Sequence, residues 1–125
     1  MAELLMARVL LVDDVYTARS MIERVLARVG GYEVQSVGSG AEAITAALAT
    51  PPDIIVLDIS MAGMDGIDTL QALRHNGLVC PILAYTARTE RTPGEFVAQG
   101  FDAYVSKNGN LSDLLATVRE QLASH

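Results

Sequence analysis

Aspartates recur in this sequence where runs of apolar residues break off. Val9-Leu10-Leu11-Val12 is followed by Asp13-Asp14, and Ile54-Ile55-Val56-Leu57 by Asp58. Two further polar groups close runs of the same kind, Thr86 after Pro81-Ile82-Leu83-Ala84-Tyr85 and Lys107 shortly after Ala103-Tyr104-Val105. Three carboxylates drawn together repel. Like charges about 5 Å apart cost roughly 3 kcal/mol per pair at an effective dielectric near 20, so three pairs approach 10 kcal/mol. Such a site must hold a proton, recruit Lys107 (the only lysine in the chain) or bind a cation. Oxygen ligands suit Mg2+, with Mn2+ as a substitute. No His or Cys stands at a spacing that suits zinc. A carboxylate beside a cation site, an ammonium and a hydroxyl has the parts for in-line attack on a phosphoryl group. Each group alone also has a plainer use. Asp58 can cap a turn, Thr86 can cap a helix or turn, and Lys107 can be a solvated loop cation. Convergence decides between the two readings.

Convergence depends on the elements that carry these groups. Ile54–Leu57 is continuously apolar, as a strand covered on both faces requires. Val9–Val12, Glu33–Val37, Pro81–Tyr85 and Ala103–Val105 read as four more strands. Between them lie helical patterns. Val15–Val29 carries Ala18, Ile22, Val25 and Val29 and stops at Gly30-Gly31. Ser39 to Glu42 reads as a capping box before Ile44, Ala47 and Leu48, and Thr50-Pro51-Pro52 ends that helix. A third helix turns Ile67, Leu70 and Leu73 inward and closes near His75-Asn76-Gly77. Thr92-Pro93-Gly94-Glu95 opens a short fourth helix with Phe96 and Val97, and Gly100 stops it. The fifth buries Leu111, Leu115, Val118 and Leu122 and is capped by Asn110 or Ser112. This alternation predicts an α/β fold, a doubly wound parallel sheet of five strands with helices on both faces. In such a sheet the strand ends share one rim, where open α/β sheets place their ligands.

The chain has 125 residues and reads as a single domain over 1–125, with half its residues hydrophobic and only 5% aromatic. The net charge of −6 argues against direct nucleic-acid binding and against attraction to an anionic membrane. The single cysteine, Cys80, reads as a buried thiol at a strand edge and fits a reducing cytoplasm. Neither a signal peptide nor a membrane span is legible.

With these motifs in order, the sequence resembles the receiver domains of bacterial two-component response regulators from Val9 to Leu122. The resemblance rests on Leu11-Val12-Asp13-Asp14, on Leu57 to Gly66 (Asp58-Ile59-Ser60-Met61-Ala62-Gly63-Met64-Asp65 between them), on Tyr85-Thr86-Ala87 and on Tyr104-Val105-Ser106-Lys107. It implies the flavodoxin-like strand order 2-1-3-4-5. It also implies that Asp58 is the phosphoacceptor, supplied by a histidine kinase or phosphotransfer protein. Asp14 matches the direct Mg2+ ligand, Asp13 the ligand acting largely through water, and the Ser60 carbonyl the remaining protein ligand. Lys107 matches the lysine that pairs with the aspartate and then with the phosphoryl group. Thr86 matches the switch hydroxyl and Tyr104 the aromatic that follows it, though Tyr104 also reads as a half-exposed strand tyrosine. Ser60 and Arg88 stand where they tune the lifetime of the phosphorylated state. A downstream protein or output domain is the implied reader, and the face of the fourth helix, fifth strand and fifth helix pairs copies in relatives. Two positions depart from the family. Ala62 replaces a proline, and Asn108 replaces the proline whose preceding peptide is cis. A cis bond before Asn108 would cost about 3–4 kcal/mol, so trans is expected, and Asn108-Gly109-Asn110 should aim Lys107 less firmly.

Three other readings compete with a phosphorylation switch. A receiver-fold docking module would work without phosphorylation. A magnesium-dependent phosphatase with an aspartyl nucleophile usually carries a second acid two residues on, where this chain has Ser60. A flavodoxin-like cofactor binder would need a phosphate cradle where Asp13 and Asp14 stand.

Overall fold

The computed structural model describes residues 6–61, 63–87 and 93–124. Among the described residues five strands and five helices alternate: β1 Arg8–Val12, α1 Tyr16–Arg28, β2 Glu33–Val37, α2 Gly40–Ala49, β3 Ile54–Leu57, α3 Gly66–His75, β4 Ile82–Thr86, α4 Pro93–Ala98, β5 Ala103–Ser106 and α5 Leu111–Ser124. The strands form one sheet in the order β2-β1-β3-β4-β5, and every neighbouring pair is parallel. The predicted fold class and strand order are those observed.

The sheet sorts its side chains by the two-residue period of a strand. Leu10, Val12, Ile55, Leu57, Ile82 and Ala84 face one layer with α2, α3 and the Phe96–Phe101 pair. Val9, Leu11, Ile54, Val56, Leu83, Tyr85 and Val105 face the other, against Ile22 and Leu26 of α1 and Leu114 and Val118 of α5. Burial on both faces explains why the central strands are continuously apolar. Register then fixes the rim: Val12 pairs with Leu57, Leu57 with Ala84, and Thr86 with Ser106. The residues just beyond these ends are Asp13, Asp58, Ala87 and Lys107.

Several local expectations need correction. Val29 is 70% exposed, because α1 ends at Arg28 and Val29 is its C-cap beyond the last packed turn; Leu26 fills the inward position. In α5 the stripe centres on Leu114 and Val118, while Leu111, Leu115 and Leu122 flank it half-buried. Asn110 is the cap, accepting from the Asp113 N–H at 3.2 Å. Ser39 caps α2 through the Glu42 N–H, but Glu42 reaches back to the Gly38 N–H rather than to that of Ser39. Cys80 is half-buried, not buried, and burial pushes its thiol pKa up. Val97 is exposed, and the expected cap at Thr92 lies outside the described residues.

Candidate functional site

β1 and β3 lie side by side, with the Asp58 N–H donating to the Val12 carbonyl at 2.9 Å. Their parallel alignment carries Asp13, Asp14 and Asp58 to one point of the rim. Carboxylate oxygens of all three lie within 4.8 Å of one another; Asp13 and Asp58 are buried and Asp14 is exposed. β5 delivers the opposite charge from the far side of β4. The Lys107 N–H donates to the Thr86 carbonyl at 2.9 Å, which fixes where the side chain starts. Its stem runs inward until Nζ lies 5.5 Å from the centre of the Tyr85 ring, a cation–π approach. The ammonium then donates to Asp13 Oδ2 at 2.9 Å and to Asp58 Oδ2 at 3.2 Å.

The remaining oxygens are also held. Asp13 Oδ1 accepts from the Val15 N–H at 2.9 Å, and Asp58 Oδ1 from the Ser60 N–H at 3.1 Å. Burial pushes the Asp58 carboxyl pKa up, Lys107 and the Ser60 N–H oppose that, and the Asp13 charge adds to it; the net shift is upward. Burial alone would lower the Lys107 pKa, but its bond to Asp13 and the charges of Asp58 and Asp13 outweigh it, so this pKa rises. One ammonium faces three carboxylates. The set is short of positive charge, and a divalent cation with oxygen ligands matches what is missing. The residues present fit such an ion.

Thr86 is fully buried at the end of β4. Tyr104, paired with Ala84, lies on the same side of the sheet as Thr86 by strand alternation. Its ring stacks on Phe96 of α4, centroids 4.8 Å apart and planes within 4°. Tyr104 is half-buried here and packs against the core. Ser60 is exposed and contributes its N–H to Asp58. Arg88 and Ala62 lie outside the described residues.

Supporting residues escaped the sequence reading. The loop after β5 is tied down rather than slack: the Asn108 N–H donates to Ser106 Oγ at 3.0 Å and the Gly109 N–H to the Ser106 carbonyl at 3.3 Å. The Asn108 amide also reaches the Ala87 carbonyl at 3.5 Å, a long contact. The Lys107–Asn108 peptide is trans, as expected. Gly66 packs directly under Asp58, where an added Cβ would come within 2.6 Å of the Asp58 carbonyl oxygen and of Ile59 Cα. Both obstacles are main chain, so they cannot swing aside. Gly66→Ala is expected to cost about 1–3 kcal/mol of stability in urea denaturation, the range for overpacking a filled site. A variant as stable as wild type would show that the Asp58 loop yields freely.

The family model for the response regulator receiver domain matches residues 9–119. The chain belongs to this family. The receiver domain is 36% identical over 116 residues to the DNA-binding response regulator MtrA of Mycolicibacterium smegmatis, covering 92% of this chain and 50% of that protein. It is 37% identical over 118 residues to the response regulator MprA of Mycobacterium leprae, with 92% and 50% covered. The chain thus spans about half the length of the curated relatives it matches. Among solved structures it superposes on the Vibrio cholerae chemotaxis protein CheY4 with a TM-score of 0.82 at 32% identity, covering 92% of this chain and 98% of that one. The response regulator TrrA of Thermotoga maritima, solved in complex with Mg2+-BeF, gives a TM-score of 0.84 at 28% identity, covering 93% and 99%. Among the described residues no helix is long and apolar enough to cross a membrane.

Proposed function

We propose that Asp58 accepts a phosphoryl group from the phosphohistidine of a histidine kinase or phosphotransfer protein, and that this receiver domain reports the event to a protein partner. The observation that carries the reading is the Lys107 ammonium shared by Asp13 and Asp58 beside three converging carboxylates. The ligated TrrA structure supports it by likeness. Asp13, Asp14, Asp58 and the Ser60 carbonyl would hold Mg2+, or Mn2+ in its place. When bound, the ion offsets carboxylate repulsion and charge on the phosphoryl oxygens. An Asp58 oxygen attacks phosphorus in line, the P–N bond to the donor imidazole breaks, and the electron pair leaves with that nitrogen, which takes up a proton. Lys107 gives up its hold on Asp58 and pairs with a phosphoryl oxygen. The Thr86 hydroxyl donates to another, and this draws on the Tyr104–Phe96 stack one strand away. The α4–β5–α5 face therefore carries the signal as a shift between accessible states.

The chemistry is a single self-modification and its reversal, not turnover of a separate substrate, and a cytoplasmic setting suits it. Ser60 in place of a second acid weighs against a phosphatase. Incubation with Mg2+ and a small acyl phosphate should add the mass of one phosphoryl group. Neither Asp58→Asn nor wild type in chelator should gain it. No gain in wild type would favour a docking module that works without phosphorylation.

Arg88 stands two residues beyond Thr86 and is proposed to hinder the attacking water or to contact the phosphoryl group. Arg88→Ala should change the half-life of the phosphorylated protein by about tenfold, the size of a modest transition-state effect. An unchanged decay rate would remove Arg88 from the account.

A further inference from the structure

Arg19 lies one turn into α1, outside the acidic cluster, yet its guanidinium turns back toward the rim. Its NH1 donates to the Asp13 carbonyl at 2.9 Å. That carbonyl belongs to the peptide joining Asp13 to Asp14. Fixing this peptide plane fixes the backbone rotations on either side of it, and so the direction in which both carboxylates leave the chain. The Asp13 N–H is held as well, by the Val37 carbonyl at 3.1 Å. The guanidinium is itself seated. Its Cζ lies 5.4 Å from the centre of the Tyr16 ring. It also lies so close to Gly38 that an added Cβ there would come within 2.6 Å of NH1. Gly38 is held in turn by Glu42, whose Oε1 accepts its N–H at 2.8 Å.

We infer that Arg19 is a positioning residue for the acidic pair, clamping the Asp13–Asp14 peptide in the orientation that cation binding needs, and that Gly38 is glycine because this seat has no room for a side chain. The inference rests on the reading of the rim as a Mg2+ site. Arg19 is not among the residues that would hold the ion. It acts through the Asp13 carbonyl, as outer groups act on metal ligands, where removal commonly weakens affinity ten- to a hundredfold, about tenfold being expected for one main-chain bond. Gly38 gives the inference a second handle. The atom its Cβ would meet is the end of a flexible side chain, so Gly38→Ala should displace the guanidinium and leave the backbone in place.

The test compares Arg19→Ala, Gly38→Ala and the double variant with wild type in three measurements. These are hydrogen exchange at the Val15 amide in chelator, the Mg2+ dissociation constant by calorimetry, and the urea midpoint in chelator. The Val15 amide is informative because it donates to Asp13 Oδ1. Each single variant should speed Val15 exchange and weaken Mg2+ binding about tenfold. The double variant should be no worse than Arg19→Ala, because one displaced guanidinium explains both. Wild-type exchange and affinity in Arg19→Ala would overturn the inference. So would effects that add in full, or a lowered urea midpoint with Mg2+ affinity unchanged. Exchange that responds to both variants in a wild type that binds no Mg2+ would overturn the functional reading and leave the clamp standing.

Discussion

Lys107→Ala should slow phosphoryl uptake from an acyl phosphate by about 10²–10³-fold, the usual cost of removing one group aimed at developing charge. The same substitution should lower stability in chelator by about 2–3 kcal/mol. That is below the 3–5 kcal/mol expected when a fully buried ion pair loses one partner. Two features reduce the loss: the Lys107 side chain keeps 21% of its exposure, and the orphaned Asp58 carboxyl, whose pKa is already raised, can take up a proton. The pH dependence follows from that second route. The raised pKa of Lys107 means its own contribution is fully present below the ordinary value of 10.5 and is lost only above it. Between about pH 4 and pH 8 the ammonium therefore stays charged, and the response to follow is that of Asp58. Lowering the pH toward 4 protonates Asp58, whose pKa is raised by burial, and should close part of the gap between variant and wild type. Urea denaturation at several pH values measures this. A gap that widened in acid would contradict the electrostatic account.

Asp58→Asn should abolish phosphoryl acceptance and, without metal, make the protein more stable. The carboxyl is buried beside two others, and its pKa lies above the ordinary value of 3.8. A raised acid pKa means the folded state binds that proton more tightly than the unfolded chain. The stability it confers is full below 3.8 and is lost as pH rises through the folded value. Asparagine does not titrate, so the variant escapes the loss. Its advantage should grow from about pH 4 upward and level off once the buried carboxyl is fully ionised, because burial of that charge is the main cause of the raised pKa. Saturating Mg2+ should reverse the order, because wild type regains stability through binding and the variant lacks one ligand. Thermal melts with Mg2+ and with chelator separate the cases. A wild type more stable than the variant in chelator at neutral pH would mean that burying the Asp58 charge does not strain the fold.

The reach of the sequence follows from what each feature leaves in it. β1, β3 and β4 are legible because burial on both faces demands unbroken apolar runs, and Asp13, Asp58 and Thr86 are legible because they end them. Pro93 and the Ser39 cap mark helix starts by well-understood chemistry. The inward positions of α1 and α5 are less legible. Leu26 and Val29, or Leu114 and Leu115, are equally apolar, and only the sheet's placement decides which of them is covered. Arg19 and Ser106 were missed for another reason. A side chain that bonds a main-chain carbonyl or amide needs no particular partner type, and so it leaves no pattern. Gly66 could have been suspected, since it follows Asp65 at the start of a helix where alanine would be the better former. Its actual cause, the Asp58 main chain beneath it, is visible only in three dimensions.

The most direct measurement localises the phosphoryl group. After incubation with Mg2+ and acyl phosphate, borohydride reduction converts a phosphorylated aspartate into homoserine, which fragmentation in the mass spectrometer assigns to a residue. Homoserine at position 58 alone, and none in chelator, is the expected result. A label on another carboxylate, or uptake that does not depend on a divalent ion, would contradict the account.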